Sequence, residues 1–240
     1  MIFDPLELNY SKLKAYIDCP FLFRFIYVER QFAPQGPHSS LGLSVHKALA
    51  AYQAGGRTLA DLMACYEDCW LHQGYATPQE SMEFYKRGSA VLEAWWTYAQ
   101  ANPAETLYWE KRFEFPLGKW LIKGTIDRID RSGPGTVAVL DYKMGFDGMR
   151  EEDAAGSLQL AIYALGAERG LGLKVSSVGY LVLTSPRRLA VPYDGGGAER
   201  TLAFIQETGE RMLSLDMSRK GDCARCVIRK LCRESTARDS

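Results

Sequence analysis

Two short runs decide how this chain is read: Gly124-Thr-Ile-Asp-Arg-Ile-Asp130 and, beyond the turn signal Ser132-Gly-Pro-Gly135, Val137-Ala-Val-Leu-Asp-Tyr-Lys143. The first alternates apolar and polar residues and the second is a short β-branched run, so both read as strands. Side chains on a strand repeat with period two, which sends Val137, Val139, Asp141 and Lys143 to one face. A carboxylate and an ammonium therefore project together at the polar end of an apolar strand. The preceding strand delivers a second carboxylate, Asp127. Like charges crowded on paired strands are costly unless a cation sits between them. Hard oxygen donors suit Mg²⁺ or Mn²⁺, and Lys143 then stands beside a metal-bound water. That arrangement points to phosphodiester hydrolysis.

Working outward, the N-terminal half reads as helical. Ser11 is the expected N-cap of a first helix with Leu13, Tyr16 and Ile17 on its apolar stripe, and Cys19-Pro20 should end it. Residues 31–41, with two prolines and Gly36, read as a loop, followed by a helix from Leu43 to Gln53 that carries His46. Further helices are expected over 58–73 and 78–101. Strands then run over 107–115, 120–129 and 137–143, the first pair turned at Pro116-Leu-Gly118. A helix over 153–169, strands over 178–184 and 189–193, and a helix over 198–215 complete the order. Helices, three strands, a helix, strands and a helix make an α/β protein with a mixed central sheet flanked by helices. The sequence reads as one domain: a helical lobe over 1–105, a core over 106–195, and a helix with a cysteine-rich tail over 196–240.

With 240 residues, 47% hydrophobic and 24% charged, the chain can bury a full core. Net charge is zero, so any nucleic-acid site must come from a local patch. No apolar run is long enough to span a bilayer and no signal peptide stands at the N-terminus, so a cytoplasmic protein with no membrane partner is expected. Six cysteines in that compartment point to metal or cluster ligation more than to disulfides. Cys223-x₂-Cys226-x₅-Cys232 provides three ligands, and Cys19, beside a helix-breaking proline, is the better fourth partner. Cys65 and Cys69 read as small buried apolar residues on a helix. Zinc and a 4Fe–4S cluster both remain open for the set of four, with the single Cys-x-x-Cys pair favouring the cluster.

Together these pieces resemble the RecB-like nucleases of the PD-(D/E)XK superfamily. Leu8-Asn-Tyr-Ser-Lys-Leu-Lys-Ala-Tyr-Ile-Asp-Cys-Pro-Phe-Leu-Phe-Arg-Phe25 looks like their opening signature and Gly42-Leu-Ser-Val-His46 like their histidine motif. Gly124-Thr-Ile-Asp127 and Asp141-Tyr-Lys143 resemble their two catalytic strands, and Gln159-Leu-Ala-Ile-Tyr163 their Gln-x-x-x-Tyr helix. The four cysteines are similar to those of the iron–sulfur subgroup, which includes the AddB nuclease domain and CRISPR-associated adaptation nucleases. The resemblance implies a restriction-endonuclease-like core with a C-terminal iron–sulfur tail.

It also implies roles. His46, Asp127, Asp141 and the Tyr142 carbonyl would bind the catalytic Mg²⁺ or Mn²⁺. Lys143 would position the attacking water and stabilise charge on the phosphate, and Gln159 and Tyr163 would hold the DNA strand. Cys19, Cys223, Cys226 and Cys232 would carry the cluster. One departure is that the Asp-x-Lys motif begins with Asp where many relatives have Glu, and both ligate hard cations. The expected activity is that of a metal-dependent DNA exonuclease on single strands or ends; the alternative is a non-catalytic DNA-end-binding subunit of a repair or CRISPR adaptation complex. No Gly-x-x-x-x-Gly-Lys-Ser/Thr loop occurs in the sequence, so unwinding is expected of a partner helicase. Seven basic residues after position 215 (Arg219, Lys220, Arg225, Arg229, Lys230, Arg233 and Arg238) offer a phosphate-tracking patch. Phe21, Phe23, Phe25 and Tyr27 read as core, with a base-stacking platform as the alternative.

Overall fold

In the computed structural model, which describes residues 6–53, 55–145, 148–218 and 220–236, the elements run β1 (Glu7–Leu8), α1 (Tyr10–Asp18), α2 (Pro20–Phe23), α3 (Pro37–Gln53), α4 (Leu59–Cys69), α5 (Pro78–Ala101), β2 (Thr106–Leu117), β3 (Trp120–Gly133), β4 (Thr136–Lys143), α6 (Glu151–Ala155), α7 (Leu158–Leu165), β5 (Val175–Val182), β6 (Arg187–Pro192) and α8 (Ala198–Leu213). The fold is mixed α/β, with a mixed sheet flanked by helices. Among the described residues no helix is long and apolar enough to cross a membrane.

Most expected elements form, and the differences have local causes. Asn9, not Ser11, caps α1, because its side chain accepts from the Lys12 amide at 2.9 Å. Residues 37–41 are helical rather than loop: Pro37 opens α3, where a missing N–H costs nothing. The helix expected over 153–169 is broken at Gly156. Ser157 starts α7 afresh, its hydroxyl accepting from the Leu160 amide at 3.2 Å. The turn between β2 and β3 centres on Gly118, whose φ of +59° suits glycine. The two-residue strand β1 lies where no strand was expected.

The chain divides into two compact units. The first holds the segment up to Pro34, Phe113–Gly124, and the segment from Gly195 on. In it β1 pairs parallel with the start of β3, Glu7 opposite Leu121. Helix α8 buries Leu202, Ile205 and Met212 on one stripe. Tyr16 donates from its hydroxyl to the Asp216 carbonyl at 2.6 Å, tying α1 to the segment after α8.

The second unit holds Gln35–Arg112 and Thr125–Asp194. Its sheet pairs β3 antiparallel with β4, β4 parallel with β5, and β5 antiparallel with β6. The even positions of β4, Ala138, Leu140 and Tyr142, pack into a cluster with Val45 and Leu49 of α3, Tyr66 of α4 and Leu92 and Trp95 of α5. Burying that face against three helices leaves the odd positions, with Asp141 and Lys143, to the opposite face. Cys65 and Cys69 pack against the same cluster as small apolar side chains.

Candidate active site

Antiparallel pairing that sets Arg128 opposite Leu140 brings Asp127 and Asp141 side by side one step along. The backbone amide of Tyr142 donates to Asp127 Oδ2 at 3.0 Å, and His46 Nδ1 lies 3.4 Å from the same oxygen. The His46 ring meets the Tyr142 ring edge to face, with centroids 6.1 Å apart. The residue between the two motif positions of β4 thus braces both neighbours.

Asp141 is 2% exposed, and Gln159 of α7 is 9% exposed among apolar neighbours. A buried amide needs partners, and Gln159 finds them in the motif itself. Its Nε2 donates to Asp141 Oδ1 at 2.7 Å, and its Oε1 accepts from Lys143 Nζ at 2.8 Å. Lys143 Nζ also lies 2.8 Å from Asp141 Oδ2, closing a triangle of carboxylate, amide and ammonium. Tyr163, one turn further along α7, places its hydroxyl 3.1 Å from Gln159 Nε2. Spacing of four on a helix and two on a strand is what lets these side chains meet.

Burial raises the Asp141 carboxyl to about 6, and the charge of Asp127 adds to it, against the pull of Lys143. Asp127 likewise rises to about 6 through burial and the charge of Glu110, opposed by the Tyr142 amide and by Lys143. Burial lowers His46, which favours a neutral ring with a lone pair to offer. Burial would also lower Lys143, but the charge and hydrogen bond of Asp141, together with Tyr180 and Asp127, outweigh it and keep the ammonium protonated.

Glu110 is the residue that sequence reasoning missed. It lies in β2 with a φ of +45°, a left-handed conformation uncommon for a non-glycine residue. Although much of its surface is exposed, its carboxyl is raised by partial burial and by the charge of Asp141. Within Trp109-Glu110-Lys111 it reads as one more outward strand position, so no pattern in the sequence marks it.

Among the described residues, no three His, Cys, Asp or Glu side chains stand close enough, as they are, to cage a metal ion. The donor set nevertheless fits a hard divalent cation: the buried Asp141 carboxylate, raised further by the charge of its half-buried neighbour Asp127, and one neutral imidazole. Asp141 Oδ2 accepts no well-directed hydrogen bond among the described residues and faces only the ammonium of Lys143. An oxygen so placed retains lone-pair capacity for a cation.

In the first unit, Cys19, Cys223, Cys226 and Cys232 all line one cavity of about 440 Å³. Cys19 follows α1, and Gly221 passes so close that a Cβ there would stand 2.2 Å from the Asp18 carbonyl oxygen. The Cys226 thiol is raised by burial and by the charges of Cys19, Cys232 and Cys223, against a backbone hydrogen bond at Ile228. Hydrogen bonds from Thr236 and Ser235 lower Cys223. Phe23 is buried against Tyr16 and Tyr27, which makes it core, while Phe21, Phe25 and Tyr27 are half-buried. Arg219 and Arg238 of the expected basic patch lie outside the described residues.

Compared with known families, the sequence matches the model of the PD-(D/E)XK nuclease superfamily over residues 7–233. No curated protein matches it. Among solved structures, a candidate exonuclease from Eubacterium rectale superposes with a TM-score of 0.59 at 13% identity, covering 94% of this chain and 88% of its own. The protein SSO0001 aligns over 97% of this chain and 88% of its own, with 17% identity and a TM-score of 0.43.

Proposed function

The chain belongs to the PD-(D/E)XK nuclease superfamily, and from that premise we propose that it is a DNA exonuclease that cuts single strands or strand ends with Mg²⁺ or Mn²⁺. Nucleases of this superfamily generally use divalent metals. The observation that carries the reading is the Asp141–Gln159–Lys143 triangle set beside Asp127. A structural role alone does not explain burying two carboxylates next to each other, since each makes the other costlier to ionise. The exonuclease description of the Eubacterium rectale protein supports the mode of attack.

Asp127, Asp141, His46 and the Tyr142 carbonyl would hold the cation. Once bound, it lowers the pKa of a coordinated water and neutralises charge building on the phosphate. The side chains do the rest. Lys143, kept as an ammonium by Asp141, offers N–H donors to the attacked phosphate and orients the water rather than removing its proton. Gln159 locks the Asp141 and Lys143 rotamers by bonding both at once. Neutral His46 presents a ring nitrogen, and Tyr163 extends the polar row along which the strand lies. DNA is the partner; a helicase or CRISPR adaptation proteins would present the strand.

The same reading gives the four cysteines a 4Fe–4S cluster and places the chain in the iron–sulfur subgroup. Their shared cavity supports it. Cys19, Cys223, Cys226 and Cys232 would hold it as thiolates, the soft donors such a cluster takes.

Digestion of end-labelled single-stranded DNA with Mn²⁺ tests the function. The unaltered protein should shorten the strand from one labelled end, and Lys143→Ala should be slower by about a hundredfold or more. Equal rates in the two proteins would end the proposal.

A further inference from the structure

The residues of β3 that alternate with Asp127 line a second cavity, of about 780 Å³, within the unit that carries the catalytic strands. At its floor the Asp130 carboxylate is 1% exposed. It accepts from Arg128 Nε and from Thr106 Oγ1, each at 2.7 Å. Arg188 of β6 reaches the same carboxylate only to 3.9 Å. Among the described residues it donates no hydrogen bond and has no other ion pair, so its guanidinium keeps its donors for an incoming anion. Two guanidinium groups over one carboxylate leave the floor with an excess positive charge. Glu105, also at the cavity, is already paired with Arg131 at 2.8 Å.

The walls have a different chemistry. Trp96 and Tyr98 of α5 and Trp109 of β2 line them. Trp109 is 39% exposed and packs on no other ring among the described residues. A space of this size suits a compact organic ligand. Spare guanidinium donors beside an open indole fit a molecule with a phosphate at one end and a flat aromatic ring at the other.

We propose that this cavity is a nucleotide-binding site separate from the catalytic carboxylates, in which Arg188 takes the phosphate and Trp109 stacks on the base. The occupant is either a free mononucleotide or the terminal nucleotide of a strand. The assignment does not depend on the proposed nuclease activity and can be tested with cleavage switched off.

The test is calorimetric titration of the full chain in EDTA with dTMP, thymidine, inorganic phosphate and a 5′-phosphorylated ten-residue oligo-dT. Binding of dTMP at least about tenfold tighter than either fragment is expected, since stacking and the guanidinium contact act together. Arg188→Gln and Trp109→Ala should each weaken it about fivefold or more, Trp109→Phe should retain it, and Lys143→Ala should not change it. Circular dichroism checks that the variants fold; both side chains are partly exposed, so folding should survive. If oligo-dT binds at least as tightly as dTMP, the occupant is a strand end; if it is excluded, the occupant is a free nucleotide. Unchanged binding in both cavity variants, loss with Lys143→Ala alone, or phosphate binding as tightly as dTMP would overturn the assignment.

Discussion

Two regions hold this protein's chemistry, and they are built on opposite principles. The carboxylates, lysine and glutamine of β3, β4 and α7 are tied into one network that leaves Asp141 Oδ2 open: Gln159 bonds both Asp141 and Lys143, and the Tyr142 amide bonds Asp127. The four cysteines after α1 and after α8 share a cavity and form no disulfide. One site stores electrostatic strain in a finished scaffold; under the proposed reading the other would take an added group that links its two segments further. Altering the first should therefore remove activity and spare stability, and altering the second should do the reverse.

Asp141→Asn probes the first half of that contrast and carries the largest expected effect. Cleavage should fall by about a hundredfold or more, yet the metal-free protein should be at least as stable above pH 6, because the cost of ionising a buried carboxylate raised to about 6 is gone and offsets the partner lost to Lys143. Thermal melts in EDTA beside rate assays decide it, and a variant that is both inactive and less stable breaks the contrast. Next comes Cys226→Ser. Protein purified without oxygen should lose its absorbance near about 400 nm, and its melting temperature should drop by about 5 °C or more. A colourless starting protein, or an unchanged melt, removes the cluster from the account.

A subtler effect follows from protons competing with the metal. Asp127 and Asp141 titrate near 6 in the folded chain against an ordinary 3.8, so the folded metal-free state binds more protons between those values. Stability then falls as pH rises through that window: the penalty is absent below 3.8 and complete above 6. Stabilisation by Mn²⁺ should accordingly be large at about pH 7.5 and nearly absent at about pH 5, as scanning fluorimetry can show. Equal stabilisation at both values rules out binding by these carboxylates. The smallest effect is expected of Glu110→Gln. Removing a charge that raises Asp127 should move the acid limb of the pH–rate profile down by less than about one unit. An unmoved limb puts Glu110 outside the site.

The sequence alone determined what periodicity can carry. Period two on β4 put Asp141 and Lys143 on one face, and a spacing of four put Gln159 and Tyr163 on one side of α7, because local geometry repeats regardless of the fold around it. A proline after Cys19 marked the end of α1 for the same local reason. Capping was less legible: Asn9 and Ser11 are both good caps, and only the chain's actual path chose Asn9. Tertiary structure alone decided that Gln159 joins Asp141 to Lys143 and that residues far apart along the chain line one cysteine cavity. It alone turned Glu110 toward the aspartates through a left-handed backbone. Those are contacts between distant segments, set by which faces the sheet and helices bury, and no short window of residues contains them.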